Sequence, residues 1–229
     1  MKIHQKIGLL IALLIVSSCL IWLWKGKSIF YNSTKEHGHQ QVIRVIPQDL
    51  SFAGEKVHFK TPSSYQLFYR ELKLNAASNK HTRTIKRNAK KILPLIEKVL
   101  KVNNIPDDFK YIAIAESNLR NDVRSKQGAA GVWQFTKSTA QALGLQVDET
   151  QDERLNILKS TKAACKYIKM AKKKFGNWTS AAAAYNRGMG GLERALAKQE
   201  TNSYYDLNLN SETEKYLYKI LAFKKLFKG

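Results

Sequence analysis

Acidic residues are scarce in this chain: 18 Asp and Glu stand against 39 Lys and Arg, a formal net charge of +21 over 229 residues. An imbalance of that size implies an acidic partner, be it nucleic acid, anionic lipid or an anionic polymer, and does not choose among them. Cysteine is scarcer still, with only Cys19 and Cys165, so a disulfide framework is excluded. Cysteine and histidine never take metal-site spacing, and the five histidines (His4, His37, His39, His58, His81) all lie at or before position 81. No metal and no cofactor is expected. Internal repeats are missing, and strand signals nearly vanish after residue 60. What remains is a chain with 44% hydrophobic residues, enough for a real core, and a length that suggests one domain with appendages.

The first appendage is apolar. Lys2 and Lys6 precede an uncharged run of 18 residues from Ile7 to Trp24, closed by Lys25 and Lys27. As a helix it would span about 27 Å, close to the hydrocarbon thickness of a bilayer. Three readings stay open over residues 1–27: an uncleaved membrane anchor, a lipoprotein acylated at Cys19 within Val16-Ser17-Ser18-Cys19, or a cleaved signal peptide. Residues 28–50 are polar and mixed and read as a linker, with a short strand near Val42–Ile46 stopped by Pro47.

Helical punctuation dominates from about Ser64. Residues 82–102 read as a basic amphipathic helix, with Ile85, Ala89, Ile92, Leu93, Ile96, Val99 and Leu100 at three- and four-residue spacing, Pro94 as a kink, and Lys86-Arg87 and Lys90-Lys91 towards solvent. Pro106-Asp107-Asp108 starts a helix, Thr136 or Ser138 caps another closed by Gly144, and Asn177 caps a third. Thr150-Gln151-Asp152-Glu153 and Ser211-Glu212-Thr213-Glu214 fit capping boxes that open two long helices, the first stopping at Gly176 and the second near Phe227. Cys165 reads as a small buried helix residue.

The stretch from Tyr111 to Phe135 carries the chemistry. Ile112-Ala113-Ile114-Ala115 delivers one carboxylate, Glu116, to a helix end, and a loop Gly128-Ala129-Ala130-Gly131 leads to Trp133, Gln134 and Phe135. A carboxyl group held against apolar surface favours its neutral form and can give its proton to a leaving oxygen. The loop offers a close backbone approach, and the aromatics offer a sugar-sized platform or core packing. Glycosidases usually need a second carboxylate. Asp122 lies in a turn, and Asp148, Glu149, Asp152 and Glu153 cluster where acids favour a helix start. One convincing acid is present and no convincing second.

Four ordered blocks resemble a known family: Glu116-Ser117; Gly128-Ala129-Ala130-Gly131-Val132-Trp133-Gln134; Ala184-Tyr185-Asn186-Arg187-Gly188; and Glu212-Thr213-Glu214-Lys215-Tyr216. Together they are similar to the soluble-lytic-transglycosylase domain. Phe52-Ala53-Gly54-Glu55, Ile105 to Tyr111 and Ser203-Tyr204-Tyr205-Asp206 are similar to its membrane-bound D group. The resemblance covers roughly residues 50–227. It implies a mainly α, lysozyme-like domain with a substrate cleft, in which 51–100 is an N-terminal helical extension and 101–229 the catalytic domain. It also implies cleavage of the peptidoglycan β-1,4 bond between N-acetylmuramic acid and N-acetylglucosamine with a 1,6-anhydro product. By the same resemblance Glu116 is the sole acid/base, and Ser117, Ser125, Gln134, Tyr185, Asn186 and Tyr216 contact the substrate. Many members read Gly-Leu-Met-Gln-Ile-Met-Pro where this chain has Gly131 to Lys137; the tryptophan fits the D group.

The expected partners are peptidoglycan strands and a membrane, at the periplasmic face of a bacterial envelope, with the chain a monomer. Two rivals share the scaffold: a lysozyme-type hydrolase, which would need a second positioned carboxylate, and a non-catalytic wall-binding protein. A nucleic-acid binder is opposed by the apolar run and by the lack of a recognisable motif.

Overall fold

The computed structural model describes the backbone of residues 28–31 and 44–47, and residues 50–76, 80–208 and 211–227. The expected membrane segment, with Cys19, lies outside the described residues. Among the described residues no helix is long and apolar enough to cross a membrane. The chain divides into two units, 1–50 and 51–229.

In the first unit, β1 (Ser28–Tyr31) pairs antiparallel with β2 (Arg44–Pro47), from Ser28 opposite Pro47 to Tyr31 opposite Arg44. The linker therefore contains a ladder. Ile29, Phe30 and Tyr31 are strand-favouring residues that supply the partner. Pro47, expected to stop the strand, is its last residue, a position where a missing N–H is tolerated.

The second unit is mainly helical. It opens with a small hairpin, β3 (Ser51–Phe52) and β4 (Glu55–Lys56), turning through Ala53 and Gly54 at positive φ. Then follow α1 (Pro62–Ala76), α2 (Lys80–Val102), α3 (Lys110–Ser117), α4 (Lys137–Ala142), α5 (Ile157–Phe175), α6 (Trp178–Arg187), α7 (Met189–Lys198) and α8 (Ser211–Phe227). The α2 helix runs through Pro94 without a break. Its Ile96, Val99 and Leu100 are buried, and residues 51–229 form one compact unit.

Short-range signals set most helix ends. Thr136 accepts from the Thr139 amide (3.2 Å), Asn177 from Ser180 (2.7 Å), and Gly176 closes α5 in the left-handed region. The capping box expected at Thr150–Glu153 does not form. Asp148 is spent on the amides of Thr150 and Gln151, and Asp152 on Arg154. A 3₁₀ turn (Glu153–Leu155) intervenes, and Asn156 caps α5 instead, accepting from Lys159 at 3.0 Å.

At the centre lies α3, with Ile112, Ala113 and Ile114 wholly buried. It packs on α8, which also packs on α1 and α6. Ala181 to Ala184 give α6 a thin buried face that lets α5 come close. Cys165 is buried in α5, and burial pushes its thiol up to about 11.

Two long-range clasps fix the ends of the elements that bear on Glu116. Glu55 accepts from the Trp178 amide (2.6 Å) and from the Thr179 amide and hydroxyl (2.8 Å each), capping α6 from 123 residues away. Asp108, just before α3, accepts from the Ala53 amide and from Lys224 of α8, both at 2.6 Å.

Candidate active site

Glu116 sits in the last turn of α3 and is half-buried. The helix ends abruptly behind it: Asn118 and Leu119 both take left-handed backbone, at φ 56° and 57°. For a buried leucine this conformation is uncommon and strained. The turn throws the chain away from the carboxylate and into the loop 120–135. Lys219 of α8 donates to the Ala115 carbonyl at 2.5 Å, placing a cation at the exposed carbonyls of the helix end.

The hydroxyl of Tyr216, on α8, donates a hydrogen bond to Glu116 Oε1. Tyr216 is buried, and its phenol is held well above its ordinary value by burial first, and then by the charge and hydrogen bond of Glu116. Tyr185 enters from α6. Its hydroxyl donates to the Trp133 carbonyl at 2.8 Å, and burial followed by the Glu116 charge raises its phenol as well. Both phenols therefore stay protonated donors. Tyr167 packs edge-on against Tyr185 at 5.3 Å and donates to the Ala184 carbonyl at 2.8 Å, which fixes the ring. Asn186 follows on the same helix, half-buried, its amide without a protein partner among the described residues.

The remaining expected residues hold the loop. Ser117 is buried, its hydroxyl between the carbonyls of Ala113 (3.1 Å) and Val132 (3.0 Å); it stitches α3 to the loop, and no open surface reaches it. Ser125 accepts from the Ala129 amide at 3.1 Å and closes the tip of the loop while staying partly exposed. Gln134, at φ 50°, donates to the carbonyls of Gly131 (2.8 Å) and Val123 (3.2 Å). Trp133 and Phe135 are core, not platform: Trp133 is fully buried with its indole N–H on Thr161 (2.9 Å), and Phe135 packs on Tyr185. Asp122 is exposed and paired with Arg120.

Arg154 was not singled out by sequence reasoning, yet it organises this loop. Nearly buried, it grips Asp152 through two bonds of 2.8 Å and donates to the carbonyls of Gly128 (2.7 Å) and Phe135 (3.1 Å). Gly131 lies against it so closely that a Cβ there would stand 2.2 Å from the Arg154 carbonyl oxygen. Asp152 is held down to about 2 by the Arg154 hydrogen bonds, with Arg124 adding to the effect. Local sequence carries no sign that this arginine turns inward. Nor does it mark Lys219, and Glu55 stands out only as part of the Phe52–Glu55 block, with no role assigned.

The arrangement offers one half-exposed carboxylate between a buried helix and two phenols, beside a braced loop with polar groups at its rim. Among the described residues no group of His, Cys, Asp or Glu could hold a metal ion.

Comparison with known proteins identifies the family. The Transglycosylase SLT domain matches residues 94–208. The membrane-bound lytic murein transglycosylase D of Escherichia coli K12 is 29% identical over 185 residues, covering 78% of this chain and 40% of that protein. The peptidoglycan transglycosylase gp16 of Escherichia phage T7 is 41% identical over 101 residues, covering 43% of this chain and 8% of that protein. The chain thus spans about two fifths of the length of its D-type relative. Among solved structures, the 70 kDa soluble lytic transglycosylase of Escherichia coli superposes with a TM-score of 0.53 at 20% identity, over 72% of this chain and 30% of that one. The matched stretch takes in Glu116, the braced loop and Tyr185, and on that ground the chain belongs to the transglycosylase SLT domain family.

Proposed function

We propose that the chain is a peptidoglycan lytic transglycosylase, and that Glu116 is its single acid/base. The observation that carries this reading is the Glu116 carboxylate at the end of a buried helix, hydrogen-bonded by the Tyr216 phenol. Protonated Glu116 gives its proton to the glycosidic oxygen as the bond from that oxygen to C1 of the muramoyl residue breaks. The muramoyl 6-hydroxyl then attacks C1, and its proton passes to the Glu116 carboxylate, which regenerates the acid. No water enters. The nucleophile is part of the reacting sugar, so its effective concentration is high. Tyr216 holds one carboxylate oxygen and thereby orients the other. Tyr185 and Asn186 line the opposite wall, and Ser125 and Gln134 border the sugar site at the loop rim. Ser117 acts through the loop it holds.

The sites at Asp122, Asp148 and Asp152 support this reading over a hydrolase, because each is tied to partners of its own. The protein acts as a monomer at the periplasmic face of the envelope, held to a membrane by residues 1–27, either as an uncleaved anchor or through acylated Cys19. Nucleic acid is not its partner. Digestion of purified sacculi with mass analysis tests the reaction: muropeptides lighter by one water than hydrolysis products are expected, and reducing muramic ends as the main product would refute it.

A further inference from the structure

The α2 helix presents a second, unassigned surface. Arg83, Lys86, Arg87 and Lys90 are exposed, and Lys91, Lys98 and Lys101 continue the series. At the helical repeat these seven fall within an arc of about 140°, whose centre lies roughly 130° around the helix from that of buried Ile85, Ala89, Leu93, Ile96 and Leu100. None of the seven has an acidic partner among the described residues; the helix's one acid, Glu97, is taken by Lys110 at 2.6 Å. Elsewhere lysines do find acids: in α5, Lys159 pairs with Glu153 and Lys174 with Glu193. Like charges three and four residues apart weaken a helix. This face carries several such pairs, and an anionic partner would relieve them.

Two features choose the partner. The cationic face runs into an open groove of about 800 Å³, with Pro94, Lys98 and Lys101 on its walls, Leu100 and Ile105 contributing an apolar part, and Glu97 and Asp107 both paired there with Lys110 at 2.6 Å. Beside the cations, Leu95 (40% exposed) and Val102 (76% exposed) stand two turns apart on one stripe. Apolar side chains next to lysines gain from the headgroup boundary of a bilayer and gain nothing from a hydrated polymer. We infer that the outer face of α2 docks the folded unit onto an anionic phospholipid surface. The inference is separate from the catalytic reading and from the manner in which residues 1–27 are held.

The full chain, with Cys19→Ser so that only buried Cys165 remains, is labelled with a fluorophore at Leu95→Cys or, as a control on α7, at Ala197→Cys. Vesicles of phosphatidylcholine, with or without phosphatidylglycerol, carry a lipid-borne quencher. Quenching at position 95 should exceed that at 197 several-fold in the anionic vesicles only. Combining Lys86→Glu, Lys90→Glu, Lys91→Glu and Lys98→Glu should abolish it. The matching glutamine set, with an unchanged unfolding midpoint, should weaken it at least tenfold. Equal quenching at both positions in the anionic vesicles, the same excess at 95 over 197 in neutral vesicles, or persistence of that excess after charge reversal would overturn the proposal. So would a charge-dependent loss of binding to sacculi with no quenching by either vesicle, which would assign the face to a wall polymer.

Discussion

Two sets of carboxylates in this molecule are held in opposite ways. Asp148, Asp152 and Glu153 accept from lysine, arginine, hydroxyl and amide donors of their own turn and of the helix it leads into, and Asp152 also from Arg124. Asp148 is held well below the usual range by Thr150 and Gln146, and Glu153 below it by Lys159. They are fixed as anions and spent on structure. Glu116 lies at the end of a buried apolar helix, where two phenols sense its charge and one donates to it. The lesson is that an acid cluster visible in sequence marks architecture here, while the isolated acid is the one we propose for proton transfer.

The largest expected effect is at Glu116 itself. Glu116→Gln keeps the shape and cannot cycle a proton, so sacculus digestion should slow by about three orders of magnitude or more, with pelleting on sacculi retained. A near wild-type rate would erase the contrast between the two sets. On the other side, Arg154→Met strands the Gly128 and Phe135 carbonyls and leaves half-buried Asp152 with Arg124 alone; a loss of about 2–3 kcal/mol in denaturant unfolding is expected. A smaller loss would mean that the acid cluster does not brace the loop.

Tyr216→Phe removes one hydrogen bond to a charged group. A fall in kcat of roughly tenfold to a hundredfold, with the unfolding midpoint nearly kept, is expected. The smallest effect concerns pH. Asp152 is held at about 2 in the folded protein, against about 3.9 when unfolded. Its stabilisation, on the order of 2 kcal/mol, is therefore complete above pH of about 4 and disappears as pH falls towards 2. Asp152→Asn should flatten that part of the stability-against-pH curve.

What sequence revealed follows range of interaction. Pro106, Thr136, Gly176 and Asn177 act on their own helix ends, and each end lies where such residues place it. The buried stripe of α2 follows from its spacing for the same reason. Glu55 and Trp178 are 123 residues apart, and nothing local says that one caps the other. Arg154 reads as one more cation in a basic chain; its burial depends on carbonyls of a loop 26 and 19 residues earlier. The capping-box reading of Thr150–Glu153 failed because the same side chains had nearer uses in an Asx turn. Trp133 could be platform or core by composition, and only the Thr161 partner in α5 decides for core.

The central claim, that one carboxylate suffices and water takes no part, is tested most directly by digesting peptidoglycan in heavy-oxygen water and measuring label at C1 of the muramic ends. The account predicts almost no incorporation, in the wild type and in Asp122→Asn alike, with 1,6-anhydromuramoyl ends as the product. Substantial label at that carbon would show that a water is activated, and the single-glutamate mechanism would have to be abandoned.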